Sequence, residues 1–144
     1  MGFACFKSWR VLIVALLLLG AVGCGPRLYS VRGKVTFPDG KPLTAGTVVF
    51  ESQDEQNRIV ARGEVQADGS YELSTYKPGD GALAGKYRVL VAPKSDPNAV
   101  DKPATPPPFD PRYMDFKTSG LEIEVKPETS DYPIRVTRPG EKSR

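Results

Sequence analysis

Apolar and polar residues alternate one by one in several short runs of this chain, and Asp-Gly turn signals separate some of these runs. A strand that buries only one face has this period of two, whereas an amphipathic helix repeats every 3.6 residues. The alternating or β-branched runs are 31–37, 47–50, 59–66, 71–75, 87–91, 121–125 and 134–136. Many short strands separated by turns are typical of packed antiparallel sheets. We therefore predict an all-β fold, a seven-stranded antiparallel β-sandwich.

The alternation also predicts which side chains fill the core. The inward row is Val35, Phe37, Val48, Phe50, Tyr71, Leu73, Tyr87, Val89, Leu121, Ile123 and Ile134. The outward row is Glu72, Ser74, Arg88, Glu122 and Glu124. A slip of one residue would move every side chain of a strand to the opposite face. The register of 47–50 is the weakest choice, because that run is apolar on both faces.

The N-terminal segment has a different character from the rest of the chain. Lys7 and Arg10 precede the apolar run Val11–Gly20, and small residues lead from that run to Cys24. A basic head, an apolar stretch of about 7–15 residues and small residues are the parts of a secretory signal. A membrane span needs about 20 apolar residues, more than this run supplies. We predict a signal peptide over 1–23; the alternative is an N-terminal anchor helix that is not cleaved.

The stretch Ala21-Val-Gly-Cys24 resembles the lipobox of bacterial lipoproteins. The resemblance implies that the Cys24 thiol receives a diacylglyceryl group, that cleavage occurs before it and that its new amine is acylated. Acyl chains such as palmitate anchor a protein because each buried CH₂ contributes about 0.8 kcal/mol. Ala21 departs from the Leu usual at that place in the lipobox. Gly25 is not the Asp that retains some lipoproteins at the inner membrane, so the resemblance favours the outer membrane.

Composition excludes several classes of function. The chain has no histidine, and its two cysteines are Cys5, inside the predicted signal, and Cys24. The mature chain therefore lacks the commonest general base, a cysteine nucleophile and any internal disulfide. Without Lys7 and Arg10 it carries 18 basic and 17 acidic residues. We therefore predict no catalytic residues, no cofactor and no metal. We also predict no nucleic-acid partner, since the chain has no basic patch.

Short stretches of the mature chain carry a further resemblance. In order they are 31–37 (VRGKVTF), 39–43 (DGKPL), 46–50 (GTVVF), 68–73 (DGSYEL), 79–82 (GDGA), 85–91 (GKYRVLV), Tyr113 and 118–125 (TSGLEIEV). Together they resemble the carboxypeptidase regulatory-like family of small bacterial lipoproteins. The resemblance implies a transthyretin-like sandwich over 31–138, after a lipidated tether at 24–30, and it carries over no catalytic residue. The last residues, 139–144, are expected to be a disordered tail.

Two motifs have a chemical interpretation that their context argues against. Gly79–Ala84 fits the glycine pattern of a dinucleotide site, but a strand follows where that site needs a helix N-terminus. We expect instead a loop with positive φ at Gly79 or Gly81. Glu122 and Glu124 share one strand face at about 7 Å, a spacing that would suit a glycosidase pair. The alternation with apolar neighbours favours a solvated outer face instead.

The proline-rich stretch 93–111 is predicted to be an extended loop. Asp96, Asp101 and Asp110 lie within it, but their spacing is not that of a calcium loop. We therefore predict no calcium site there.

Three aromatic residues, Phe109, Tyr113 and Phe116, lie at the end of this loop and just after it. They either cap the core or form an exposed patch that binds a ligand. Capping is favoured because aromatic rings contribute most when they are buried. An exposed patch would make the domain a carbohydrate-binding module.

These observations predict a lipid-anchored, non-enzymatic domain outside the cytoplasm, with a binding or structural role at the cell envelope. Its partners are the membrane and either an envelope protein or a glycan. An open sheet edge would favour a protein partner, and an aromatic pocket would favour the glycan.

Loss of the signal predicts a spectroscopic difference between precursor and mature protein. Trp9 is the only tryptophan of the chain. Protein extracted from membranes with detergent should therefore show tyrosine emission alone. Tryptophan emission from the purified protein would mean that residues 1–23 are retained.

Overall fold

The computed structural model describes residues 27–56, 58–94 and 106–141. The predicted signal, Cys24 and residues 95–105 of the proline-rich loop lie outside the described residues. The strands are β1 (Leu28–Tyr29), β2 (Arg32–Thr36), β3 (Gly46–Ser52), β4 (Val60–Val65), β5 (Ser70–Glu72), β6 (Ala82–Leu83), β7 (Gly85–Ala92), β8 (Leu121–Val125) and β9 (Ile134–Arg135). A single-turn 3₁₀ helix, Pro111–Met114, precedes β8.

The strands form several sheets, so the predicted all-β class is confirmed. Strands β4-β3-β7-β8 make a four-stranded antiparallel sheet, and β5-β2-β9 make a three-stranded sheet. The two-residue strands β1 and β6 pair with each other. Each of the seven predicted runs overlaps a strand, and β1 and β6 are additional because two residues are too short to show alternation.

One pair departs from the predicted antiparallel arrangement. Strand β9 runs parallel to β2, with Val35 opposite Ile134. The chain leaves β8 at the edge of the four-stranded sheet and crosses to the edge of the other sheet. There it forms β9, which runs in the same direction as β2. Alternation reports which face is buried and carries no information on strand direction, so the sequence did not reveal this pair.

The β4–β5 hairpin joins the two sheets along one edge. Its turn is closed by the Gln66 N–H, which donates to the Ser70 carbonyl at 2.8 Å. Farther along, Arg62 and Ser74 exchange two backbone hydrogen bonds, of 2.9 and 2.8 Å. These bonds satisfy backbone groups that would otherwise be open at the edges of β4 and β5.

The core confirms most of the predicted inward row. The buried members are Val35, Phe37, Val48, Phe50, Tyr71, Leu73, Tyr87, Val89 and Ile134. Leu121 and Ile123 are only half-buried, because β8 is an edge strand and covers the core from one side. Thr47 and Val49 are less buried than Val48 and Phe50, so the register of β3 is as predicted.

The outward row is confirmed for its acidic members. Glu72, Glu122 and Glu124 are exposed, whereas Ser74 and Arg88 are half-buried. Arg88 is partly covered because its guanidinium pairs with Glu51 on the neighbouring strand, with an Nη2–Oε2 distance of 2.9 Å.

Tyr71 links the two outer strands of the three-stranded sheet across its middle strand. Its hydroxyl donates to the Tyr132 carbonyl, just before β9, at 2.6 Å. Gly33 of β2 lies between them, and a Cβ there would collide with the Tyr132 carbonyl and press against the Tyr71 ring. Burial raises the pKa of Tyr71 far above its ordinary value, so this hydroxyl remains a donor.

The centre of the core offers a test of this packing. The Phe50 ring is fully buried, 6.3 Å from the Tyr71 ring and 6.0 Å from the Tyr87 ring between centroids. Phe50→Ala should lower the free energy of unfolding by about 3–5 kcal/mol, measured by urea denaturation. Tyr76→Ala is the matched control, because that ring is 64% exposed and its loss should change stability little. Equal effects of the two substitutions would place Phe50 outside the core.

Candidate functional site

The three aromatic residues singled out as a ligand site do not form an exposed platform. Phe109 is fully buried and Tyr113 is 5% exposed, while Phe116 is half-buried. The Tyr113 hydroxyl accepts a hydrogen bond from the Thr137 N–H at 3.3 Å, and Arg112 lies over its ring at 5.2 Å. Phe109 and Tyr113 therefore lie in the core, as the capping interpretation predicts, and they offer no exposed aromatic platform. Both rings belong to the apolar core, where burial removes their surface from water.

Of the three acidic residues in the proline-rich loop, Asp110 is the one that lies in the described part of the chain. Asp110 caps the 3₁₀ helix, and its Oδ1 accepts from the Arg112 N–H at 3.0 Å. Asp96 and Asp101 lie outside the described residues. Within 27–56, 58–94 and 106–141, no three carboxylates, histidines or cysteines cluster as metal ligands would.

A groove of about 670 Å³ follows β2 and β5. Its charged lining residues are Arg32, Lys34, Glu64, Glu72 and Asp131. The Arg32–Glu72 pair is 3.8 Å apart and both side chains are more than half exposed. Small-molecule sites are usually enclosed and largely apolar, with a few polar groups. This groove is open to solvent and carries charges of both signs, so it suits polar contacts with a partner surface.

A row of charged side chains crosses the outer face of the four-stranded sheet. Glu51, Arg88 and Glu122 are cross-strand neighbours on β3, β7 and β8. Gln53 donates to Glu122 Oε1 at 3.2 Å, at the edge of a second cavity of about 340 Å³. Glu124 pairs with Lys126 at 3.5 Å. The two glutamates are therefore members of a solvated face, as the alternation predicts.

The loop from Thr75 to Gly85 is organised by the Asp80 carboxylate. Its Oδ1 accepts from the Thr75 N–H at 2.7 Å, and its Oδ2 accepts from the N–H groups of Tyr76 and Lys77 at 3.0 and 2.8 Å. Desolvation opposes ionisation of Asp80, but these three donors outweigh it and hold its pKa below the usual carboxyl range. The conformation of the loop is therefore held by the charged Asp80 carboxylate, which the backbone N–H groups of the same loop stabilise.

Gly81 allows this loop to pack against the start of the folded chain. Its φ is +83°, and a Cβ there would collide with the Tyr29 carbonyl. Its N–H donates to the Leu73 carbonyl at 3.0 Å, and the Leu73 N–H donates to the Val31 carbonyl at 2.8 Å. Gly79 also has positive φ, as expected for this glycine-rich motif. Strands β6 and β7 follow it, so no helix N-terminus is available for a pyrophosphate.

The pairing of β1 with β6 brings the N-terminal side of the domain to this loop. Leu28 is opposite Leu83 and Tyr29 is opposite Ala82. Cys24 lies outside the described residues, four positions before Leu28 in the sequence. Sequence reasoning missed both the β1–β6 pair and the role of Asp80. The available signal was the Asp-Gly turn at 80–81, whose carboxylate can bond the backbone of neighbouring residues.

No helix among the described residues has the length and apolar character needed to cross a membrane. Comparison of the chain with protein-family models, with curated proteins and with solved structures returned no match.

The lowered pKa of Asp80 predicts a pH-dependent effect on stability. Asp80→Asn should unfold at lower urea than the parent at neutral pH, because the amide lacks the charge that three N–H groups favour. The difference should shrink as pH falls through the folded-state pKa of Asp80, since protonation removes the same charge from the parent. Glu55→Gln, at an exposed carboxylate, is the control. A pH-independent difference would contradict this role of Asp80.

Proposed function

We propose that this protein is a lipid-anchored, non-enzymatic β-sandwich domain of the bacterial cell envelope, attached through Cys24. Its role is to bind or support another envelope component at the membrane surface, and the outer membrane is the favoured location. The domain presents charged outer faces and buries most of the aromatic rings of its described residues in its own core.

The observation that carries this proposal is the sequence arrangement at the N-terminal side. The apolar run Val11–Gly20 is followed by Ala-Val-Gly-Cys24, and strand β1 begins at Leu28. A signal peptide has an apolar region of this length and small residues before the cut. A folded domain that starts directly after the cysteine is consistent with cleavage at Cys24. The cysteine would then be the first residue of the mature chain.

We also propose that the sandwich has the transthyretin-like arrangement of the carboxypeptidase regulatory-like family. Two features support it: a four-stranded and a three-stranded sheet enclose one core, and most of the stretches that carry the resemblance fall on strands and tight turns. The stretch GTVVF lies in β3 and the stretch GKYRVLV lies in β7, the two central strands of the larger sheet. The resemblance brings no catalytic residues to this chain.

A binding or structural role is favoured over catalysis by residue chemistry. The chain has no histidine, and Cys24 is assigned to the lipid, so the usual nucleophile–base pairs have no candidates. Both cavities are lined by charged side chains of both signs, and in the groove along β2 and β5 Arg32 pairs with Glu72 at the surface. Such faces support polar contacts with a macromolecule, and an envelope protein is the partner class that we propose.

Substitution of the two cysteines tests the anchor directly. Cys24→Ser should abolish incorporation of radiolabelled palmitate and leave the protein as unprocessed precursor or release it from the membrane fraction. Cys5→Ser is the matched control, because it removes the other thiol of the chain and should leave labelling intact. Labelling that persists in Cys24→Ser, or that is lost in Cys5→Ser alone, would refute the assignment of Cys24.

A further inference from the structure

The distance between the anchor and the folded domain is short. Four residues lead from Cys24 to Leu28, and a fully extended chain spans at most about 3.3–3.6 Å per residue. The start of β1 therefore lies within roughly 14 Å of the lipid-bearing cysteine. A domain of about 100 residues has a radius of gyration near 13 Å and is more than about 30 Å across. The tether is thus much shorter than the body that it holds.

The end of the sandwich next to the tether has a defined set of elements. The Thr75–Gly85 loop and the start of β7 lie there, because β1 pairs with β6 inside that loop. The 37–41 turn follows the C-terminal end of β2, and the 3₁₀ helix precedes the start of β8. Both therefore lie toward the opposite end of the sandwich. Strand β7, eight residues long, spans about 26 Å between the two ends at about 3.3 Å per residue.

The side chains at the tether end suit a lipid headgroup surface. Tyr76 is 64% exposed at the tip of the loop, although it is a large aromatic residue. Arg27, Lys77 and Lys86 are also exposed. Tyrosine is enriched at membrane–water interfaces, and lysine and arginine are attracted to anionic lipid. The one acid of the loop, Asp80, faces the loop backbone, where three N–H groups bond its carboxylate.

The same end also carries an acidic turn. Asp54 and Glu55 follow β3, and the Gln53 N–H donates to the Lys86 carbonyl at 2.9 Å, which places this turn beside the start of β7. Anionic headgroups repel these two carboxylates, which outnumber the one basic residue of the turn, Arg58. The domain should therefore tilt so that the Thr75–Gly85 loop, rather than the β3–β4 turn, meets the membrane.

We infer that the loop Thr75–Gly85, together with β1, is a membrane-docking face that rests on the headgroups of the anchoring bilayer. The inference rests on the proposed lipid anchor. Tyr76 and Lys77 supply the contacts, and the Asp80 carboxylate holds the loop in shape for them. The 37–41 turn and the 3₁₀ helix then project away from the membrane and face the partner.

Fluorescence quenching by lipid-attached nitroxide tests this orientation. The full-length lipidated protein is reconstituted into vesicles of phosphatidylethanolamine and phosphatidylglycerol that contain a lipid with a nitroxide headgroup. A thiol-reactive fluorophore is placed at Ala84→Cys near the tether, or at Lys41→Cys or Lys117→Cys at the far end, all exposed positions. With Cys24 lipidated and Cys5 removed, the introduced thiol is the one free thiol of the mature chain. Quenching at position 84 should be severalfold stronger than at positions 41 and 117.

The other outcomes separate the two proposals. Labelled protein that does not float with the vesicles would refute the lipid anchor and the docking face together. Protein that floats but is quenched equally at both ends would refute the docking face alone. In the Ala84→Cys background, Lys77→Glu should reduce quenching severalfold on the anionic vesicles. Unchanged quenching in that variant would show that the loop makes no headgroup contact.

Discussion

The close approach of Tyr71 to Tyr132 across Gly33 is the contact on which the smaller sheet depends. Because Gly33 has no side chain, the Tyr71 hydroxyl reaches the Tyr132 carbonyl at 2.6 Å and ties β5 to the residues that lead into β9. The Tyr132 side chain continues this connection. Its hydroxyl accepts from the Lys126 N–H at 2.8 Å and donates to the Thr129 carbonyl at 3.0 Å. The crossing from the larger sheet to the smaller one is thereby fixed by two tyrosines.

The larger sheet depends on the smaller one through shared aromatic packing. The Phe50 ring, on central strand β3, lies between the Tyr71 ring of one sheet and the Tyr87 ring of its own sheet. The β4–β5 hairpin closes the sandwich along one side with backbone hydrogen bonds. A single apolar core and the hydrogen-bonded β4–β5 edge hold the two sheets of the described residues together.

The sequence predicts the strands and their buried faces better than it predicts the connections between them. The alternation in 31–37 and 87–91 places Val35, Tyr87 and Val89 in the core correctly, because a strand buries alternate residues regardless of its partners. It overestimated the burial of Leu121 and Ile123, since the position of β8 at a sheet edge is a property of the whole topology. The parallel pair β2–β9 was missed for the same reason. The Asp80-organised loop was missed because its hydrogen bonds follow no hydrophobic period.

In the proposed function this folded body is joined to a lipid through a tether of a few residues, so the chemical state of Cys24 is decisive. The most direct measurement is mass spectrometry of the N-terminal peptide from protein purified out of the membrane fraction. The account predicts a peptide that begins at Cys24 and carries a diacylglyceryl thioether and an acylated amine. A peptide that contains residues before Cys24, or an unmodified Cys24, would contradict it.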